Sequence, residues 1–440
     1  MTWIRLNRKY IVRLTNRWTS RIFALLGFIA IFAPLSGLLK IRKSVSCRIF
    51  ASIAILIMGE YSPIPIRIKE AREYCRYSTT ELADRIDKTR QAVSQFENGT
   101  TKPTPEILSR IADATNFPIE YFFKPPRPQN ATMSQIPLYR GSPSKTESLK
   151  RAYEITTEWS SDIIDYLKVY VALLDVNLPK DLEFDPFSNV DLQLRIESIA
   201  ERLRTHWNLG KSPIRDLVGV LENNGFIISK IPNKTKEVEA FSLWADGRPH
   251  IFYEGNRDTP TSYVFSICHE LGHLVLHASM QKDELLARNT YKDIEQQANL
   301  FAGAFLMPAE TFGSEYITSN LNSFIQIKKK WGVSLAAMIM RANALGIIDD
   351  QQKSYLYRQL SYRGYRKHEP YDDEIAFYEP AIIFNSIKLL LENKIITFQD
   401  FMHDIAIPKD ALTAICSLPD NFIEKYLAPV RKTPYLQLIK

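Results

Sequence analysis

The sequence predicts a mainly α chain with a small β-sheet, an α+β fold, and three observations carry that reading. Five short capped helices follow one another between residues 64 and 124. Short apolar runs at 226–231, 240–244 and 250–253 have strand length, and the last two flank Asp246-Gly247, a hairpin-turn pair. Directly after them Ser266-Ile267-Cys268-His269-Glu270-Leu271-Gly272-His273-Leu274-Val275-Leu276-His277 reads H-E-x-x-H inside an apolar helical pattern.

With 440 residues the chain exceeds one ordinary core. We expect five segments: a basic and hydrophobic stretch at 1–57, a helical module at 58–124, a linker and helical connector at 125–191, a metal domain at 192–345 and a helical region at 346–440. The formal charge of +7 is misleading, because residues 1–57 hold ten Lys or Arg and no Asp or Glu. The rest carries a net of −3, so contact with nucleic acid has to come from a local patch. Four cysteines, Cys47, Cys75, Cys268 and Cys416, form no C-x-x-C pair, which fits a reducing, cytoplasmic setting.

Residues 1–57 admit several readings: a signal peptide, disfavoured because no small-residue cleavage site follows the apolar run; a single span, disfavoured because it would export the helical module after it; an anchor; and a start at Met58. The apolar run from Ile22 to Leu39 is just long enough for a membrane span but holds Pro34 and Gly37, and the run from Ile49 to Met58 is too short to span alone. A hairpin or peripheral anchor over residues 22–58 would keep both ends in the cytoplasm. Alternatively Met58 is the start, since every recognisable module begins after it. Membrane contact is expected only if residues 1–57 belong to the native protein.

In the helical module, Ser78-Thr79-Thr80-Glu81 is a capping box, and Thr89 caps the helix Arg90 to Glu97 that Asn98-Gly99 ends. Ala92, Val93 and Phe96 are spaced to pack inward. Arg90, Gln91, Ser94 and Gln95 point outward with groups that read guanine and adenine edges in a major groove. Thr104-Pro105-Glu106 opens the next helix, and Pro118 to Phe123 a final short turn. The stretch Thr89 to Gly99 with Lys102-Pro103 resembles the XRE (Cro/C1-type) repressors. The resemblance implies that Thr89 to Gln95 enter a groove of a double-stranded operator. A homodimer is a further expected partner. Glu97 is expected to cap or pair within the bundle, because a carboxylate facing phosphate is repelled.

The Pro-rich run Lys124 to Asn130 reads as a stiff linker. Helical patterns follow at 144–174, with Trp159, Ile163, Ile164, Tyr166, Leu167 and Val171 on one stripe, and from Leu194 to Trp207. The strands come next, and an open sheet edge beside the metal helix would align an extended peptide by strand addition.

One helical turn separates His269 from His273, so both imidazoles reach one metal ion. Glu270, next to the first ligand, suits a general base acting on water. A catalytic zinc site needs a third ligand, and Glu295 is the candidate, at the head of the apolar stripe Ala298, Phe301, Ala302 and Phe305. Asn299, one turn on, would orient a ligand from behind. Asp293 and Glu284 are rivals by residue type, and the competing reading of Glu295 is an exposed first-turn acid. His277 is expected to act behind the ligands, and Cys268 as a buried thiol.

His269 to His273 together with Glu295 to Pro308 resemble the two signatures of the ImmA/IrrE metallopeptidases. That implies a zincin-like domain with metal ligands His269, His273 and Glu295, base Glu270, and a protein substrate such as a repressor or antitoxin-like partner. Zinc is the expected ion, with Mn2+ or Fe2+ as alternatives for this donor set. A non-catalytic repressor that keeps the metal helix as structure is the main rival reading, and a membrane-anchored sensor a third. Downstream, Trp331 to Gly346 reads as a capped helix, Tyr355 to Lys367 as a solvated helix with a packed tyrosine face, and 380–426 as two or three helices.

Overall fold

A computed structural model describes residues 62–127, 138–139, 147–188, 190–232, 239–255, 259–280, 288–315, 318 and 320–427. The expectations for residues 1–57 lie outside this range, as does Glu284. Among the described residues no helix is long and apolar enough to cross a membrane. They divide into two compact units, a helix-turn-helix bundle and a larger body that carries the sheet.

In the bundle, α1 (Pro65–Tyr74), α2 (Thr79–Arg85), α3 (Arg90–Glu97) and α4 (Pro105–Thr115) precede a 3₁₀ turn over Ile119–Phe123. Local chemistry sets each boundary. Ser78 and Glu81 close a reciprocal capping box, Thr89 accepts from the Ala92 amide, and Thr104 accepts from the Ile107 amide. Leu82, Val93, Phe96, Leu108, Ile111 and Phe122 form the core, with Ala92 only half-buried. Glu97 turns inward, where Arg72 grips it through two bonds, Nε to Oε1 at 2.6 Å and Nη2 to Oε2 at 3.0 Å. Removing the carboxylate takes two bonds from a guanidinium that is only 12% exposed.

The larger body begins with a two-residue strand, β1 (Leu138–Tyr139), and the long helix α5 (Glu147–Lys168). The helix ends six residues before the expected Leu174. Val169-Tyr170-Val171 are poor helix formers, and Val169 and Leu174 are exposed, so nothing holds a further turn. Next come α6 (Leu192–His206), α7 (Leu217–Asn223) and the strands β2 (Ile227–Lys230), β3 (Ala240–Ala245) and β4 (Arg248–Tyr253). The sheet order is β1-β3-β4-β2. β3 and β4 form the expected hairpin, with Asp246 and Gly247 both at positive φ, and β2 runs parallel to β4. The fourth strand, β1, was not apparent from the sequence.

Side chains alternate across β3. Phe241 and Leu243 face α5, where Phe241 stacks between Tyr153 (4.7 Å) and Phe252 (4.6 Å). Ala240 joins the main core on the other face, and Ser242 reaches toward the metal helix α8 (Pro260–Leu276). That core continues through α9 (Arg288–Leu306), α10 (Ala309–Gly313), α11 (Leu321–Trp331), α12 (Leu335–Ala344) and α13 (Asp350–Tyr362). A buried Lys328 binds Asp372 (2.5 Å) and Glu369 (2.7 Å), and Asp372 also accepts from Thr261 in the first turn of α8. This network pins the start of the metal helix to the 3₁₀ turn Asp372–Glu374.

Two expectations for the C-terminal region change. On α13 the packed face is Leu356 and Leu360 rather than the tyrosines: Tyr362 is 88% exposed, and only Tyr357 and Tyr365 pack against the core. Among the described residues after 380 there are four helices, α14 (Ile382–Glu392), α15 (Phe398–Ile405), α16 (Lys409–Ile415) and α17 (Phe422–Leu427). The last three span eight residues or fewer, too short for a helical period to stand out in sequence.

Replacing Glu97 with Ala should lower the stability of the helix-turn-helix bundle by about 2–3 kcal/mol, through loss of its two bonds to the largely buried Arg72. Chemical denaturation followed by a probe in the bundle reads this, and an unchanged midpoint contradicts it.

Candidate metal centre

α8 is buried from Phe265 to His277. Pro260 occupies its first turn, and a mainly apolar sequence carries it through the core, so its buried polar groups need partners inside the protein. His269 and His273 lie one turn apart, with their Nε2 atoms 3.0 Å from each other. Against them stands Glu295 of α9, its carboxylate oxygens 3.4 Å from His269 Nε2 and 3.3 Å from His273 Nε2. One donor atom from each of the three residues falls within 4.8 Å of the others.

Hydrogen bonds behind the cluster fix the protons. Gln297 Nε2 donates to the Pro186 carbonyl (2.8 Å), so its Oε1 accepts from His277 Nε2 (2.9 Å). Burial and the neighbouring His273 push His277 down to about 3, leaving it neutral, and its Nδ1 accepts from His273 Nδ1 (3.0 Å). His269 Nδ1 donates to Asn299 Oδ1 (3.0 Å). Each ligand-candidate imidazole thus carries its proton on Nδ1 and turns a lone pair inward at Nε2. Two lone pairs and a carboxylate converging in a buried space repel one another unless a cation sits between them. The donor set fits a metal ion.

α9 begins at Arg288, about two turns before Glu295. That excludes the reading of Glu295 as an exposed first-turn acid. Asp293 points to solvent, outside the cluster. The Cys268 thiol is buried on another side of α8, donates weakly to the Ala302 carbonyl at 3.8 Å, and is pushed well up by its apolar surroundings.

Glu270 is fully buried, and Ser242 of β3 donates to its Oε2 at 2.7 Å. Sequence reasoning missed Ser242, because the pairing spans 28 residues and depends on how the sheet lies against α8. It also missed Gln297 and Tyr291. Tyr291, one turn before Glu295, touches that carboxylate, and burial followed by the nearby charge raises its phenol. The four-residue spacing from Tyr291 to Glu295 was a usable signal. No comparable pattern marks Gln297.

In the bundle, Thr89, Arg90 and Gln91 are exposed and Ser94 and Gln95 half-buried along α3. Together they line one side of that helix, and Ser94 also accepts from Asn98 Nδ2 at 3.4 Å.

Residues 222–343 match the family model described as the IrrE N-terminal-like domain, a peptidase family, and residues 68–122 match a helix-turn-helix model. An XRE-type helix-turn-helix and an IrrE-like peptidase domain share this chain. No curated protein matches it. The matched peptidase segment contains β2 to β4, α8, α9 and nearly all of α12, and so every member of the cluster.

Gly272 sets the separation of the two metal helices. A Cβ there would lie 3.2 Å from both Cα and O of Ala298 and 3.1 Å from the Phe301 ring. Gly272→Ala should therefore cost about 1–3 kcal/mol and move Glu295 away from the histidines. Chelator competition should show weakened zinc retention, whereas retention equal to that of the parent would place the control of helix spacing elsewhere.

Proposed function

We propose that the protein is a cytoplasmic regulatory zinc metallopeptidase that binds DNA and cleaves a specific protein partner, such as a repressor or an antitoxin-like protein. The observation that carries this reading is the inward lone-pair set of His269, His273 and Glu295, with Glu270 beside it on α8. The match of residues 222–343 to a peptidase family supports it.

His269, His273 and Glu295 would hold the ion, leaving a position open for water or substrate. Zinc, when bound, polarises a peptide carbonyl and lowers the pKa of a water molecule. Glu270 then takes a proton from the attacking water at its carboxylate and delivers it to the leaving amine nitrogen. Ser242 holds one oxygen of Glu270 and so fixes which oxygen faces the reaction. The hydrolysis needs no covalent enzyme intermediate: water supplies OH to the carbonyl carbon and H to the amine. His277, Gln297 and Asn299 keep the ligand imidazoles in the tautomer that binds metal.

On α3, Arg90 and Gln91 are proposed to read base edges while Thr89, Ser94 and Gln95 hold the helix in the groove. The regulatory character of the reading follows from joining this helix to a peptidase in one polypeptide.

Glu270→Gln should abolish cleavage of the partner, at least 100-fold in rate by the typical size of general-base effects, while metal content stays equal to the parent's. Failure of the parent to cleave any repressor or antitoxin-like partner, with metal bound, would favour a non-catalytic repressor. Arg90→Ala should weaken operator binding by roughly 1–3 kcal/mol with unchanged metal content, and unaltered affinity would remove α3 from the groove.

A further inference from the structure

Gly303 stands in the last turn of α9, where its carbonyl accepts from the Met307 amide at 3.0 Å in the helical pattern. Glycine is the poorer choice there, because it loses more backbone freedom than alanine on joining a helix. Neither of the usual reasons for keeping one applies. Its φ is not positive, and an added Cβ would meet only Arg341 Cδ, at 3.4 Å, an ordinary contact. Gly272 differs in this respect, since the backbone of Ala298 blocks its Cβ.

The space in front of Gly303 belongs to a cavity of about 770 Å³ that reaches the metal centre. Along α9 it is lined from Tyr291, Glu295 and Asn299 to Gly303, twelve residues or ~18 Å of helix. Phe265, one turn before His269 on α8, lines it too, and Ala337, Met340 and Ala344 of α12 form the facing wall. The size falls within the roughly 300–1,000 Å³ of pockets that enclose a ligand.

The chemistry of the walls narrows the occupant. Arg341 is already held by Glu197 and by the Met307 carbonyl (2.8 Å), and Lys353 by Asp350 (2.6 Å) and Asn343 Oδ1 (2.9 Å). A charged side chain near Gly303 would have to break one of these pairs to find a partner. Lys292 is exposed, but it lies three turns away along α9. What the wall offers is apolar surface: Leu300 is half-buried, and Met340 is 42% exposed on α12. We propose that this cavity receives the substrate segment beside the scissile bond, and that Gly303 is its specificity-determining residue, leaving room for a large apolar side chain between α9 and α12. The inference rests on the peptidase reading, which gives the cavity its place beside a metal-bound substrate.

The test uses the full zinc-loaded chain and the hydroxamates of glycine, leucine and phenylalanine, which share a zinc-binding head and differ in side chain. By calorimetry the leucine and phenylalanine compounds should bind the parent roughly ten-fold or more tightly than the glycine compound, the scale expected for burying such side chains. Gly303→Leu fills the space, so the three affinities should converge to within about two-fold, with zinc content and glycine hydroxamate binding unchanged. Gly303→Ala should raise the thermal midpoint and reduce the preference part of the way. A lowered midpoint would show that packing requires the glycine and would overturn the proposal. If Gly303→Leu fails to fold, Met340→Asp at its exposed position on the facing wall is read instead, and should cut the preference about five-fold or more. Equal binding of the three compounds by the parent, or a preference that survives the variant read, overturns the proposal and leaves the peptidase reading standing, because glycine hydroxamate still reports the metal. A chain that holds no zinc and binds none of the three overturns the peptidase reading and the proposal with it.

Discussion

The contact on which the peptidase body depends is the close approach of α8 and α9 at Gly272, where the backbone of Ala298 fills the space of an absent Cβ. Without it Glu295 could not reach the two histidines from a neighbouring helix. The arrangement is costly in the absence of a cation, because two imidazole lone pairs and a carboxylate meet away from bulk water. The surrounding structure holds it in place. The Lys328–Asp372–Thr261 network fixes the N-terminal end of α8, and the Pro186–Gln297–His277–His273 relay fixes the other.

A second constraint comes from the sheet. Because β3 is buried on both faces, its alternation serves two cores: Phe241 and Leu243 pack toward α5, and Ser242 serves the site. A polar residue facing α8 at that point is tolerated because it is hydrogen-bonded to Glu270. The same strand therefore supports the fold and steadies the proposed base. The helix-turn-helix bundle is stabilised separately, by an apolar core and the Arg72–Glu97 pair.

Much of this was legible in the sequence because the determinants are local. Caps at Ser78, Thr89 and Thr104 announce their helices, Asp246-Gly247 announces its hairpin, and the four-residue step from His269 to His273 announces a shared face. Glu295 could be nominated from its position ahead of an apolar stripe, although the helix turned out to begin two turns earlier. What stayed hidden is non-local. Ser242 acquires its place only when the sheet packs on α8, Gln297 only when its amide meets Pro186, and β1 only when the chain folds back on β3. The tyrosine face expected between Tyr355 and Lys367 held at Tyr357 and Tyr365 but not at Tyr355 or Tyr362, for a related reason: spacing shows which residues share a face, while the neighbours decide which face is buried.

The central claim is that two imidazoles and one carboxylate bind a single metal ion. Zinc-edge X-ray absorption on the full chain tests it most directly. The account predicts one zinc per chain with two imidazole nitrogens and light oxygen donors at about 2.0–2.2 Å and no sulfur near 2.3 Å, and loss of one imidazole in His273→Gln. A chain that binds no metal, or binds it through sulfur at Cys268, would contradict it.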